Sequence, residues 1–215
     1  TNKKSVVNQR EVGSDTQSLQ LALKNALRQA PDVILIGEIR DRETMSAAIA
    51  YAQSGHLCLA TMHANNSYQA LNRILSFYPA EVRSTLLGDL AAALKAVVSQ
   101  RLLRTQAGTR APAVEVMLNT KLISEFIEKG DFSSVREAME QSMAEGSQTF
   151  EQDIARLIGD GTVTRKEGLL YADSPTNLMW RLENDFAVAS KAAAAPAEDP
   201  DDEPSFTEIT LDVKH

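Results

Sequence analysis

Two short apolar runs, "DVILIG" from Asp32 and "HLCLAT" from His56, stand on either side of "RETMSAAIAYAQS". Each run leads to a chargeable side chain, Glu38 after the first and His63 after the second. Val33 to Ile36 is aliphatic and β-branched without alternation, which predicts a strand buried on both faces of a parallel sheet. Asp41 supplies an N-cap for the helix between the runs, and Gly55 a left-handed stop. Leu57 to Met62 predicts a second buried strand. Strand, helix and strand joined by short links make a βαβ unit, whose strands are parallel and whose crossover is right-handed in nearly every case. Parallel strands bring their carboxyl ends to one edge, where open α/β sheets bind ligands. Glu38 and His63 therefore face one crevice, while His56, at the start of its strand, belongs to the opposite edge.

The flanking sequence is mostly helical. Ser14-Asp15-Thr16 offers N-caps for a helix carrying Leu19, Leu23, Ala26, Leu27 and Ala30, which Pro31 ends. "SYQALNRILSFYP" predicts a helix capped near Asn65 to Ser67, and "PAEVRSTLLGDLAAALKAVVSQ" a longer one. "RLLRTQAGTRAPAVEVML" holds two apolar runs about a Gly-containing turn, a hairpin signature. From Asn119 onward the pattern is helical throughout, and Trp180 at helical spacing with Leu178 and Leu182 reads as core, as do Met139 and Met143. Residues 191 to 206 are Ala, Pro and acid with little to bury and read as disordered; the final "TEITLDVK" alternates like a strand able to dock elsewhere. These boundaries give an α/β part at 1–118, a helical domain at 119–190 and an acidic tail at 191–215. "SVVNQREVG" alternates like a strand already under way and no initiator Met precedes it, so the expectation is a piece of a longer protein.

Composition narrows the function classes. The formal charge is −7 over 215 residues, with no cluster of Lys and Arg interleaved with aromatics, which argues against a nucleic-acid groove. The one cysteine, Cys58, excludes an intrachain disulfide and a cysteine-rich zinc site, and makes the cytoplasm the natural compartment. No apolar stretch reaches the roughly 18 to 20 residues of a membrane span, so a membrane link would run through a partner.

An apolar strand ending in Gly-Glu suits a carboxylate that activates water beside a phosphate, because glycine allows close approach and partial burial strengthens the acid's field. Equally, Glu38 pairs with Arg40 or caps the helix from Asp41 with no catalytic role. His63 with Thr61 offers donors that orient or sense a phosphate, the alternative being a strand-end histidine satisfied locally. No G-x-x-x-x-G-K-[ST] occurs: Gly13, Gly55 and Gly159-Asp160-Gly161 are each followed by the wrong residues. Either the chain is no nucleotide enzyme, or the phosphate cradle lies upstream of Thr1.

From "VVNQREVG" to "ATMHANN" the sequence resembles, almost continuously, the secretion and type IV pilus ATPases of the PilT/GspE superfamily. The resemblance implies a partial RecA-like P-loop NTPase core of class α/β, a mostly parallel sheet with flanking helices, followed by a helical C-terminal domain. It makes "DVILIGEIRD" the Walker B segment, with Glu38 as catalytic carboxylate, and "GHLCLATMH" the histidine box. Nucleotide-site roles then fall on His56 and His63, with Thr61 beside them. It also implies that the P-loop and an acidic motif precede Thr1, and that Arg10, Arg40 and Arg101 are candidates for subunit-interface or nucleotide contacts, at least one being a structural pair. The four-cysteine zinc site of secretion and extension ATPases is missing, which indicates the retraction branch. "KLISEFIEKGD" replaces the "AIRNLIRE"-like motif expected of the PilT type after the hairpin, so the chain is most like the accessory PilU branch. The family further implies a hexameric motor using ATP and Mg²⁺ at the cytoplasmic side of the inner membrane, with a PilT-type partner ATPase and a membrane platform protein. Rival readings are a nucleic-acid or type II secretion motor on the same core, and a non-catalytic module that recruits a partner.

Overall fold

A computed structural model describes residues 4–141 and 144–193 of the chain. Residues 11–16 fold into a turn rather than the start of a helix: the Asp15 carboxylate accepts from the Glu11 amide at 2.9 Å, and Gly13 takes a φ of 97°. Helix α1 (Leu19–Ala26) begins instead at Ser18, whose hydroxyl accepts from the Leu21 amide at 3.1 Å. It tightens into a 3₁₀ turn over Leu27–Gln29, and Ala30 turns left-handed ahead of Pro31.

Strand β1 (Val33–Ile36), helix α2 (Arg42–Gln53) and strand β2 (Leu57–Ala60) form the expected parallel unit, in register from Val33 opposite Leu57 to Ile36 opposite Ala60. The pairing runs beyond both ends, through Leu57 N to Asp32 O at 3.1 Å and Ile39 N to Thr61 O at 2.9 Å. Among the described residues, covering of both faces is not found. Ile34 and Ile36 are buried, whereas Val33 and Leu35 on the other face are 50% and 71% exposed and Leu57 and Leu59 are exposed as well. Successive side chains of a strand point to opposite faces, and among the described residues the main core lies on the side of Ile34 and Ile36.

Helix α3 (Ser67–Ser76) is N-capped by Asn66, and α4 (Arg83–Ala93) follows a 3₁₀ turn at Ala80–Val82. The expected continuation of α4 to Gln100 does not occur. Ala96 already begins β3 (Ala96–Arg104), which pairs antiparallel with β4 (Arg110–Leu118) over its whole length. Val97 and Val98 favour extended backbone, and the long hairpin ladder overrides a helical reading of "AAALKAVV". Helices α5 (Lys121–Lys129), α6 (Ser133–Gln141), α7 (Phe150–Gly159), α8 (Arg165–Tyr171) and α9 (Pro175–Ala193) complete the chain. Residues 191–193 of the stretch read as disordered thus belong to α9; its remainder, the "TEITLDVK" segment and Met143 lie outside the described residues.

Buried apolar residues form two clusters. One joins α1, β1, α2, α3 and α4 to Met117, α5 and α6, Met139 included. The other joins Leu103 and Ala113 of the hairpin to Phe150, Ile154 and Leu157 of α7, Val163, and Leu178 and Leu182 of α9. Trp180 is not in it. Leu178 and Leu182 stand four apart on one face of α9, and Trp180, two residues from each, turns to the other side and is 68% exposed.

Candidate functional site

The carboxyl ends of β1 and β2 meet as the parallel ladder requires. Past β1, Gly37 accepts through its carbonyl from the Thr61 hydroxyl, which ties the two strand ends together. Glu38 follows, with a side chain 21% exposed, and both of its carboxylate oxygens are engaged. Oε2 accepts from Arg40 Nε at 2.7 Å, and Oε1 faces His63 Nε2 at 3.0 Å. That second contact is a hydrogen bond when Nε2 carries the proton. The hydrogen bond from Arg40 holds the Glu38 carboxyl below its ordinary range; the charges of Arg40, His63 and Arg73 act in the same direction, against partial desolvation. Glu38 is therefore an ionised carboxylate at neutral pH, with its acceptor face toward an imidazole.

Glu38, Arg40, Thr61 and His63 thus come together at one edge. His56 does not join them: at the start of β2 its Nδ1 lies 3.0 Å from the Ser54 hydroxyl and 3.2 Å from the Tyr51 carbonyl. Arg10 lies in the exposed stretch before the turn at 11–16 and makes no hydrogen bond or ion pair among the described residues. Arg101 is a structural pair, bonded to Asp173 and to the carbonyls of Tyr171 and Asn65. Arg73 on α3 is an addition: its charge reaches Glu38, yet it lies ten residues past the histidine with no motif to mark it.

The Arg40 guanidinium, with N–H groups beyond those on Glu38, and the His63 imidazole fit the outer oxygens of a phosphate, with Glu38 placed to accept a proton from water; the single Thr61 hydroxyl proton is already given to the Gly37 carbonyl, so Thr61 holds the strand ends together. These side chains do not fit a divalent cation by themselves. Among the described residues no group of three or more His, Cys, Asp or Glu side chains is arranged to hold a metal ion, and the Glu38 oxygens already face cationic or donor groups.

A profile of the family described as type II/IV secretion system protein matches residues 3–148, well over half the chain. The chain belongs to that family. It is 49% identical to the type IV pilus ATPase PilU of Pseudomonas aeruginosa over 80% of this chain and 46% of that protein. It is 34% identical to the pilus retraction ATPase PilT of the same organism, over 81% of this chain and 51% of that protein. Among solved structures, the pilus retraction motor PilT with bound ADP superposes with a TM-score of 0.75 at 34% identity, covering 82% of this chain and 50% of that one. The ATPase DotB of Legionella pneumophila gives a TM-score of 0.68 at 25% identity, covering 77% of this chain and 45% of that one. The chain therefore spans about half the length of the relatives it matches, and shares with them a partial RecA-like α/β core and the helical part that follows. No helix among the described residues is long and apolar enough to cross a membrane.

Proposed function

We propose that this chain is the C-terminal portion of a hexameric ATPase motor that powers type IV pilus retraction, the PilU-like relative of a PilT-type partner ATPase. The observation that carries the reading is the pairing of Glu38 and His63 at 3.0 Å on adjacent parallel strand ends, in a member of a family whose relatives are named as pilus ATPases. In this reading an upstream P-loop would hold ATP, and Mg²⁺ arriving with the nucleotide would supply positive charge to its phosphates. Glu38 orients a water and accepts its proton; His63 and Arg40 contact the phosphate edge as its charge develops, with Thr61 tying the two strand ends together behind them. His56 and Arg10 carry, at most, contacts to a neighbouring subunit or to nucleotide held elsewhere. The division into a core at 1–118, a helical domain at 119–190 and a tail at 191–215 belongs to the same proposal. So does a place on the cytoplasmic face of the inner membrane, against a pilus platform protein.

Glu38→Gln in the full-length protein tests the assignment, since the amide keeps the shape and loses the base. Turnover should fall about 10²- to 10⁴-fold while ATP affinity is retained. Hydrolysis at the parent rate would make Glu38 a structural residue and remove the carrying observation.

A further inference from the structure

The loop that bears His63 is anchored from outside the strand edge. Two residues beyond His63, the Asn65 carbonyl accepts from Arg101 Nη2 at 3.1 Å. Asn66 Nδ2 then donates to Asp173 Oδ2 at 2.9 Å, and the Ser67 amide donates to the Glu115 carboxylate at 2.7 Å. Three successive residues are therefore held by β3, by β4 and by the link between α8 and α9. Arg101 is the hub: it donates through Nη1 to the Tyr171 carbonyl at 2.6 Å, pairs with Asp173, and stacks 4.0 Å from the centroid of the Phe150 ring. Its side chain is 17% exposed, so these bonds are shielded, whereas His63 is 82% exposed and has no comparable support of its own.

We propose that Arg101 is a positioning residue for the hydrolytic site: its guanidinium fixes the loop at 65–66 so that the His63 imidazole meets the Glu38 carboxylate, without touching nucleotide itself. The proposal rests on the reading of Glu38 and His63 as the working pair. A guanidinium suits the role because its planar fork serves diverging acceptors at once and lies flat on an aromatic ring, which an ammonium cannot do. The anchor also joins the two apolar clusters, since Phe150 belongs to one and the loop leads into α3 of the other. An arginine that merely clasped the α8–α9 link to the hairpin would change stability and leave the Glu38–His63 contact as it is.

Ring ¹H–¹³C spectra of the three histidines separate these roles in this chain, with the His63 peak assigned by its loss in H63Q. In the parent, E38Q shifts the His63 peak because it neutralises the group facing Nε2. In R101K and in the milder D173N, the same E38Q substitution should shift the peak about half as much or less, with circular dichroism confirming the fold. A full-sized shift in either folded variant overturns the proposal. In the full-length protein, R101K should lower kcat by about 10- to 100-fold with little change in KM, the size expected when a reacting group is displaced from afar; an unchanged kcat overturns it as well. If Glu38→Gln alone leaves hydrolysis at the parent rate, the ATPase reading fails, while the spectra still decide whether Arg101 sets His63 against Glu38.

Discussion

At the scale of single residues, Glu38 is governed by its neighbours more than by burial. The Arg40 hydrogen bond is the largest influence that lowers its pKa, and it operates at an exposed pair, Arg40 being 75% exposed. Such a pair adds little to folding stability because water and salt screen it; under the proposed function its effect is on the protonation of the hydrolytic carboxylate. A carboxylate with a depressed folded pKa stays ionised until the pH falls through that low value. The acid limb of kcat/KM, which reports the free enzyme, should therefore lie below the usual glutamate range in the full-length protein. Arg40→Ala removes the chief cause, so the limb should move upward in pH, a change read directly from kcat/KM profiles of the two proteins. A limb that stays in place would mean that Arg40 does not set the protonation of Glu38.

Helix boundaries divide into those written locally and those decided by distant partners. Asp41 and Gly55 announce α2 correctly, because an N-cap and a left-handed stop act within one turn: Asp41 Oδ1 accepts from the Thr44 amide at 2.8 Å. That hydrogen bond lowers the Asp41 pKa, so its stabilisation is present above the unfolded value and lost as pH falls through the folded one. Asp41→Ala should cost about 1 kcal/mol near neutral pH, or about 2–4 °C in Tm for a chain of this size, with the difference from the parent shrinking in acid. Thermal melts at two pH values check it. The packing of α8 on α7 was not legible: a Cβ on Gly168 would stand 2.5 Å from Ile158 Cδ1 and 2.8 Å from Ile154 Cγ2. Gly168→Ala should thus destabilise by about 1–3 kcal/mol despite alanine's better helix propensity, and a raised Tm would show that the isoleucines move aside freely. The start of β3 escaped the sequence for a related reason, since only pairing with β4 distinguishes "AVVSQ" from the end of a helix.

For the whole molecule, the strand edge was legible because βαβ topology alone brings Glu38 and His63 together. The anchor behind it was not, because Asn66 and Asp173 are 107 residues apart and no local pattern links them. The uncovered face of β1 and β2, with Leu35 71% exposed, shows the same limit: a continuous apolar run predicts cover without saying which residues supply it. The edge itself contributes a carboxylate, an imidazole, a hydroxyl and the Arg40 guanidinium that the carboxylate already engages. A P-loop holds a triphosphate with a cradle of backbone amides and a lysine, and this sequence contains no such motif. A net charge of −7 adds long-range repulsion toward an anionic ligand. Isothermal calorimetry of this chain with ATP and Mg²⁺ should therefore give no binding heat at micromolar nucleotide, while the full-length protein of the proposed reading should bind under the same conditions. A submicromolar dissociation constant for the chain alone would mean that it holds phosphate through groups other than a P-loop, and the division of labour between an upstream cradle and the Glu38–His63 edge would have to be given up.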